Sequence, residues 1–173
     1  IKEENTAIIG SPAFDIKQFM KSTILFRRLP DMNSKINILE KEVDALKKVI
    51  VIRPDMGYAY MELGSAYIRL GGYHDAIEYF QKAKKFFFFF SVLYNNLAVA
   101  YGKSGKVDEE IALLKRAISL RPKYATARYN LGVVYLRKGG HNEALNQYEE
   151  LKRFDEGAAA SLKQEVDKIS KNR

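Results

Sequence analysis

The 173-residue chain has no cysteine, only four prolines and only two histidines. The missing cysteines exclude a disulfide framework and any thiolate metal site. They leave the compartment open, since either redox environment would tolerate this composition. His74 and His141 are expected in turns between paired helices, as solvated residues and not ligands. No metal-ligand spacing and no catalytic constellation is present, so no cofactor and no enzymatic activity are expected. Long apolar runs are also missing. The longest, Phe86 to Tyr94, is interrupted only by Ser91. At nine residues it is about half of what a membrane-spanning helix needs. The start carries no charged-then-apolar signal segment. The first residue is Ile1 and not Met, so either a leader has been removed or the numbering starts inside a longer protein.

Positive charge and apolar residues are abundant instead. The chain is 47% hydrophobic, enough for one domain with a core. Its net charge is +8 and its pI about 9.5, which favours acidic partners: nucleic acid, anionic lipid or acidic peptide. Basic residues are scattered through the chain without a nucleic-acid recognition motif, so a nucleic-acid-associated factor is the weaker reading.

The chain repeats itself. Leu63, Leu97 and Leu131 lie 34 residues apart, and the same offset links Gly64, Ala98 and Gly132. It also links Tyr67, Tyr101 and Tyr135, then Gly71, Gly105 and Gly139, then Phe80, Leu114 and Tyr148. Within the first unit Tyr60, Leu63, Tyr67 and Leu70 share one helical face. Gly71 then suits the left-handed backbone that ends a helix. Asp108 and Asn142 are expected to cap the second helices of the next two units. The small residues at 64, 98 and 132 permit close helix approach. Such a helical hairpin cannot bury its faces alone, so neighbours must stack.

A repeat of this length, with Leu63-Gly64 before Tyr67, Leu131-Gly132 before Tyr135, Ala76 before Phe80 and Ala144 before Tyr148, resembles the tetratricopeptide repeat family. Pro54 and Pro122 match its closing proline. The resemblance implies an all-α fold: a right-handed α-solenoid of about 3.5 antiparallel hairpins and a C-terminal capping helix. One domain over 1–173 is expected, with repeats at 57–90, 91–124 and 125–158. A degenerate repeat at 12–56 would precede them, with Ser11-Pro12 starting its first helix, a break at Leu29-Pro30, and Ile36, Leu39, Val43, Leu46 and Ile50 on one face of its second helix. Residues 159–173 would cap the stack through Leu162, Val166 and Ile169.

Five consecutive phenylalanines, Phe86 to Phe90, fall at the end of one repeat and the turn into the next. Phe86 matches the last core position and is expected to pack between repeats. Consecutive residues point around the whole helix axis, so two or three rings should remain exposed. Phe87, Phe88, Phe89 and Phe90 are the expected aromatic contact, for a partner or for self-association. Membrane-interface insertion and local packing are the other readings of this turn.

The resemblance implies that the first helix of each hairpin lines an inner groove. Its lining would be Tyr58, Met61, Glu62, Ser65 and Arg69, then Asn95, Asn96, Val99 and Lys103, then Tyr129, Asn130, Val133 and Arg137. Asn96 and Asn130 recur one repeat apart and could hold a peptide backbone. Arg69, Lys103 and Arg137 would form a basic row suited to an acidic peptide. Some family members grip chaperone C-termini with a clamp of Lys, Asn, Asn, Lys and Arg. The matching positions here are Met61, Ser65, Asn96, Thr126 and Asn130, of which only Asn96 fits. The expected function is a protein–protein interaction scaffold or assembly module. The alternative is a subunit or assembly factor of a membrane-bound complex, docked through the phenylalanine turn. Localisation is left open, with a peripheral place on a membrane complex allowed.

Overall fold

The computed structural model describes the backbone of residues 16–171 and the side chains of residues 30–169. Eight helices and no strand occur among the described residues: α1 (Ile16–Ile52), α2 (Gly57–Leu70), α3 (Tyr73–Ala83), α4 (Ser91–Lys103), α5 (Val107–Leu120), α6 (Ala125–Arg137), α7 (His141–Lys152) and α8 (Glu156–Lys171). The chain divides into two units, 1–40 and 41–173. In the second, α2/α3, α4/α5 and α6/α7 form antiparallel hairpins that stack in order, and α8 packs on α6 and α7.

Glycine ends the first helix of each hairpin. Gly71, Gly105 and Gly139 have φ of 80°, 86° and 82°, a conformation that L side chains rarely adopt. The turns are correspondingly tight: Gly72 N–H donates to the Tyr67 carbonyl and Gly140 N–H to the Tyr135 carbonyl, both at 2.9 Å. The second helices start without side-chain caps, at Gly72, Lys106 and Gly140. The caps expected at Asp108 and Asn142 are therefore corrected: both residues lie inside the first turn. After each left-handed glycine a single residue suffices to start the helix, and its own carbonyl accepts the bond. Asp108 instead meets Lys138 at 2.7 Å.

Small residues set the spacing inside the stack. A Cβ at Gly64 would lie 2.6 Å from the Phe80 ring, and one at Gly132 would lie 2.5 Å from Leu162. Phe80 and Leu162 have no exposed surface, and neither has Ala98. The first hairpin thus inserts Phe80 against bare backbone, and α8 seats Leu162 on the third in the same way. Val166 and Ile169 join Leu162 in covering the last hairpin, so α8 closes the array as expected.

Upstream the structure departs from the sequence reading. α1 runs unbroken through Pro30, where a hairpin break was expected. Gly71 counted back one repeat falls on Asn37, and no glycine occurs between Gly10 and Gly57. With no left-handed glycine to stop it, the helix continues, and proline alone does not turn the chain. The expected start at Ser11-Pro12 lies outside the described residues. In the second unit, Val43 of α1 packs with Leu63 and Ala66 of α2, flanked by Leu46 and Ile50.

A Gly64→Val substitution is expected to lower stability by about 1–3 kcal/mol through overpacking against Phe80. Urea unfolding followed by circular dichroism checks this: the midpoint should fall with an unchanged slope. An unchanged midpoint would mean that the two helices do not meet there.

Candidate functional site

The residues expected to line a groove come from α2, α4 and α6, and the structure sorts them by depth. Met61 and Asn95 are buried, Ser65, Asn96, Val99, Tyr129, Asn130 and Val133 are half-buried, and Tyr58, Glu62, Arg69, Lys103 and Arg137 are exposed. Met61 belongs to the core between the first two hairpins, and Tyr129 packs towards α8. Ser65 donates to the Met61 carbonyl at 3.0 Å, a bond within its own helix.

The asparagines bind one another. Asn130 Nδ2 donates to Asn95 Oδ1 at 3.0 Å, and Asn95 Nδ2 donates to Asn96 Oδ1 at 3.3 Å. This chain of amides crosses from α6 to α4 and fixes the register of two repeats. It occupies one donor of Asn130 and an acceptor of Asn96, leaving the outer atoms of both amides for the groove.

The basic row is partly neutralised. Arg69 meets Glu42 of α1 at 2.6 Å, and Arg137 meets Glu110 of α5. Glu42, Ala76, Glu110 and Ala144 occupy one and the same place in successive units, 34 residues apart. Carboxylate and alanine therefore alternate along the stack. Where Ala76 stands, Lys103 lacks the carboxylate that pairs with Arg69 and Arg137 at the matching place, and it forms no ion pair among the described residues.

In the sequence Glu110 does not stand out from Asp108 and Glu109, the other acids in the first turn of α5. In the structure it is 7% exposed and takes a place where its two downstream and upstream neighbours, Ala76 and Ala144, are fully buried alanines. Room for it comes from α4. The residue one turn into the groove is Ile68 in the first repeat and Leu136 in the third, but Gly102 in the second. A Cβ at Gly102 would lie 2.2 Å from the Glu110 carboxyl carbon. The large-and-small pair of the other repeats is exchanged here for a small-and-charged one. A cavity of about 350 Å³ results, lined by Val99, Gly102, Lys103, Glu110, Asn130, Val133, Val134 and Arg137. The repeat offset carried this signal: an acid between two alanines, beside a glycine between two large aliphatics.

Burial raises the Glu110 carboxyl above its ordinary value, and Arg137 and then Lys103 pull it part of the way back. No group of His, Cys, Asp and Glu that could hold a metal occurs among the described residues.

The phenylalanine turn differs from expectation in which rings face inward. Phe87 and Phe90 pack against the first core cluster, whereas Phe86 is 45% exposed. The reason is that α3 already ends at Ala83, so Phe86 lies in the turn and not on the helix. Its ring stacks on Tyr60 at 5.9 Å, and Phe87 meets Tyr58 edge-on at 4.6 Å. Phe88 and Phe89 are the exposed pair, at 54% and 75%.

A tetratricopeptide repeat model matches residues 57–86 and 125–157, and a second repeat model of the same family matches 100–139. The chain belongs to the tetratricopeptide repeat family. The chloroplastic tetratricopeptide repeat protein PYG7 of Arabidopsis thaliana is 43% identical over 63 residues, 36% of this chain and 21% of that protein. Photosystem I assembly protein Ycf3 of Prochlorococcus marinus is 24% identical over 120 residues, 64% of this chain and 69% of its own. The chain spans only 13–21% of the length of the first curated relatives it matches. Among solved structures, MamA superposes with a TM-score of 0.65 at 27% identity, over 87% of this chain and 89% of that one. The first tetratricopeptide domain of Spaghetti (RPAP3), solved with an HSP90 peptide, gives 0.61 at 24% identity, over 68% and 93%. Tetratricopeptide folds typically serve as non-enzymatic scaffolds for protein interaction or assembly.

Two measurements check the Gly102–Glu110 exchange. Gly102→Ile and Glu110→Ala are each expected to destabilise alone, while the double variant recovers about 0.5–3 kcal/mol of the summed loss. Strict additivity in urea would show that the two positions do not share a site. The folded state also holds the Glu110 proton more tightly than the unfolded chain. This residue's contribution therefore favours folding as pH falls from neutral through its raised value, and is lost as pH rises again. Glu110→Gln should flatten that limb of the stability–pH profile, and an unaltered limb would assign it to other groups.

Proposed function

We propose that this repeat array is a scaffold whose groove holds an extended, acidic segment of a protein partner, centred on the second repeat. The observation that carries this reading is Lys103. It is exposed beside the cavity between α4 and α6 and is the member of the basic row whose facing position is alanine. An acidic side chain laid along the groove would meet Lys103 and the outer edge of Arg137, whose inner edge Glu110 already holds. Asn96 and Asn130 would bind the segment's backbone with their outer amide atoms. The apolar wall of Val99, Val133 and Val134 would take up its aliphatic portions.

Two relatives support the general role. The RPAP3 domain was solved with an acidic peptide, SRMEEVD, and Ycf3 is named for assembly. The chaperone-specific clamp is not carried over, because Met61, Ser65 and Thr126 stand at three of its positions. A partner other than a chaperone C-terminus is therefore proposed.

Fluorescence anisotropy with labelled extended peptides tests the proposal. Acidic peptides should bind and their charge-neutral counterparts should bind about tenfold more weakly, with the difference shrinking at high salt. Lys103→Gln should abolish that preference without changing the circular dichroism spectrum. Equal binding of acidic and neutral peptides, or an indifferent Lys103→Gln variant, would reject the groove as an acid-binding site.

A further inference from the structure

Antiparallel hairpins put two kinds of turn at opposite edges of the array. The turns within hairpins, at Gly71, Gly105 and Gly139, are short and polar. Those between hairpins are not. From Lys41 onward, the exposed large hydrophobic side chains are Val51, Ile52, Met56, Tyr58, Phe86, Phe88 and Phe89. All belong to the turn that joins α1 to the first hairpin, the turn between the first and second hairpins, or the helix ends beside them. The two turns touch: Cβ and Cγ of Phe86 and a ring carbon of Phe87 crowd the Cα of Gly57, so that any side chain there would clash.

The loop is braced from beneath. Phe87 and Phe90 are anchored in the core, and the Tyr94 hydroxyl donates to the Phe88 carbonyl at 2.9 Å. Phe88 and Phe89, with centroids 5.0 Å apart and edge to face, are thereby held outward and cannot fold in. Cations gather at the base of the same loop. Lys84 and Arg116 each lie 5.9 Å from the Tyr94 ring that supports the loop, and Lys85 is exposed next in sequence. No acidic residue occurs between Glu78 and Asp108. Arg121 and Lys123 continue the positive charge into the next turn of the same edge, and Asp55 is taken up by Arg53 at 3.0 Å.

We infer that this edge is a docking surface for an anionic lipid bilayer, with Phe88 and Phe89 entering the interface and Lys84, Lys85 and Arg116 facing the headgroups. Apolar rings ringed by cations, with no compensating acid, match a phase that is apolar inside and negative at its surface. A second copy of the chain is the poorer occupant, because it would bring the same positive edge against itself. The two rings are also exposed side by side, which a deformable bilayer admits and a preformed protein pocket would have to mirror. No described helix is long and apolar enough to cross a membrane, so the contact proposed is with its surface.

The test is flotation of the full chain with vesicles of phosphatidylcholine alone or mixed with phosphatidylglycerol. Binding is expected to the mixed vesicles. Phe88→Ser/Phe89→Ser should weaken it at least about tenfold, and Lys84→Gln/Lys85→Gln by about thirtyfold. Circular dichroism confirms that the variants stay folded. The chain has no tryptophan, so a Phe89→Trp variant reports the tip without background. Its emission should shift to the blue on adding mixed vesicles and stay put with phosphatidylcholine alone. Absence of binding, binding indifferent to both pairs of substitutions, or an unshifted Phe89→Trp spectrum would overturn the inference. So would a protein complex or dimer that the Phe88→Ser/Phe89→Ser change dissolves while vesicles remain unbound.

Discussion

The array depends on one kind of contact, a bulky side chain pressed onto a first helix where that helix carries only glycine or alanine. Phe80 on Gly64 sets the spacing of the first hairpin, and Leu162 on Gly132 sets the seat of the closing helix. Helices that approach this closely bury their flanking residues on both sides, which is why Leu63, Ala66, Leu97 and Ala98 lose all their exposure. The faces left over are few and repeat with the same period.

The second repeat keeps this rule and inverts its residues. Gly102 withdraws where Ile68 and Leu136 fill, and Glu110 enters where Ala76 and Ala144 stay small. The exchange puts a carboxylate under the groove that no apolar packing required. A charge half-withdrawn from water is costly unless paired, and Arg137 from the following repeat supplies the partner. The same relation, 27 residues apart, recurs at Glu42 and Arg69 on a more exposed footing. The row of cations is thus graded: held at both ends and open at Lys103.

Much of the fold was legible because a repeat multiplies its own signal. Leucine, small residue, tyrosine and glycine at a constant offset specify hairpins three times over, and the period places each side chain in depth. Legibility failed where the period was interrupted. α1 lacks the glycine that turns its successors, and proline at position 30 gave a false stop because proline can be carried within a helix. The site was legible in part. The basic row and the asparagines were visible as recurrences, but their partners were not, since Asn95 and Glu110 act across repeats. Phe86 was misplaced for a related reason. The repeat frame assigns it to a helix, while the helix stops at Ala83 and leaves the whole run in the turn.

The tight glycine turns have an engineering consequence. At Gly71 the connection holds two residues and at Gly105 and Gly139 three, so that margin has little slack for extra residues. The opposite margin already absorbs a seven-residue connection between Ala83 and Ser91. Reporter tags, added loops or crosslinking handles would have to enter there, beneath the phenylalanines or at the third connection, and never between the two arms of a hairpin.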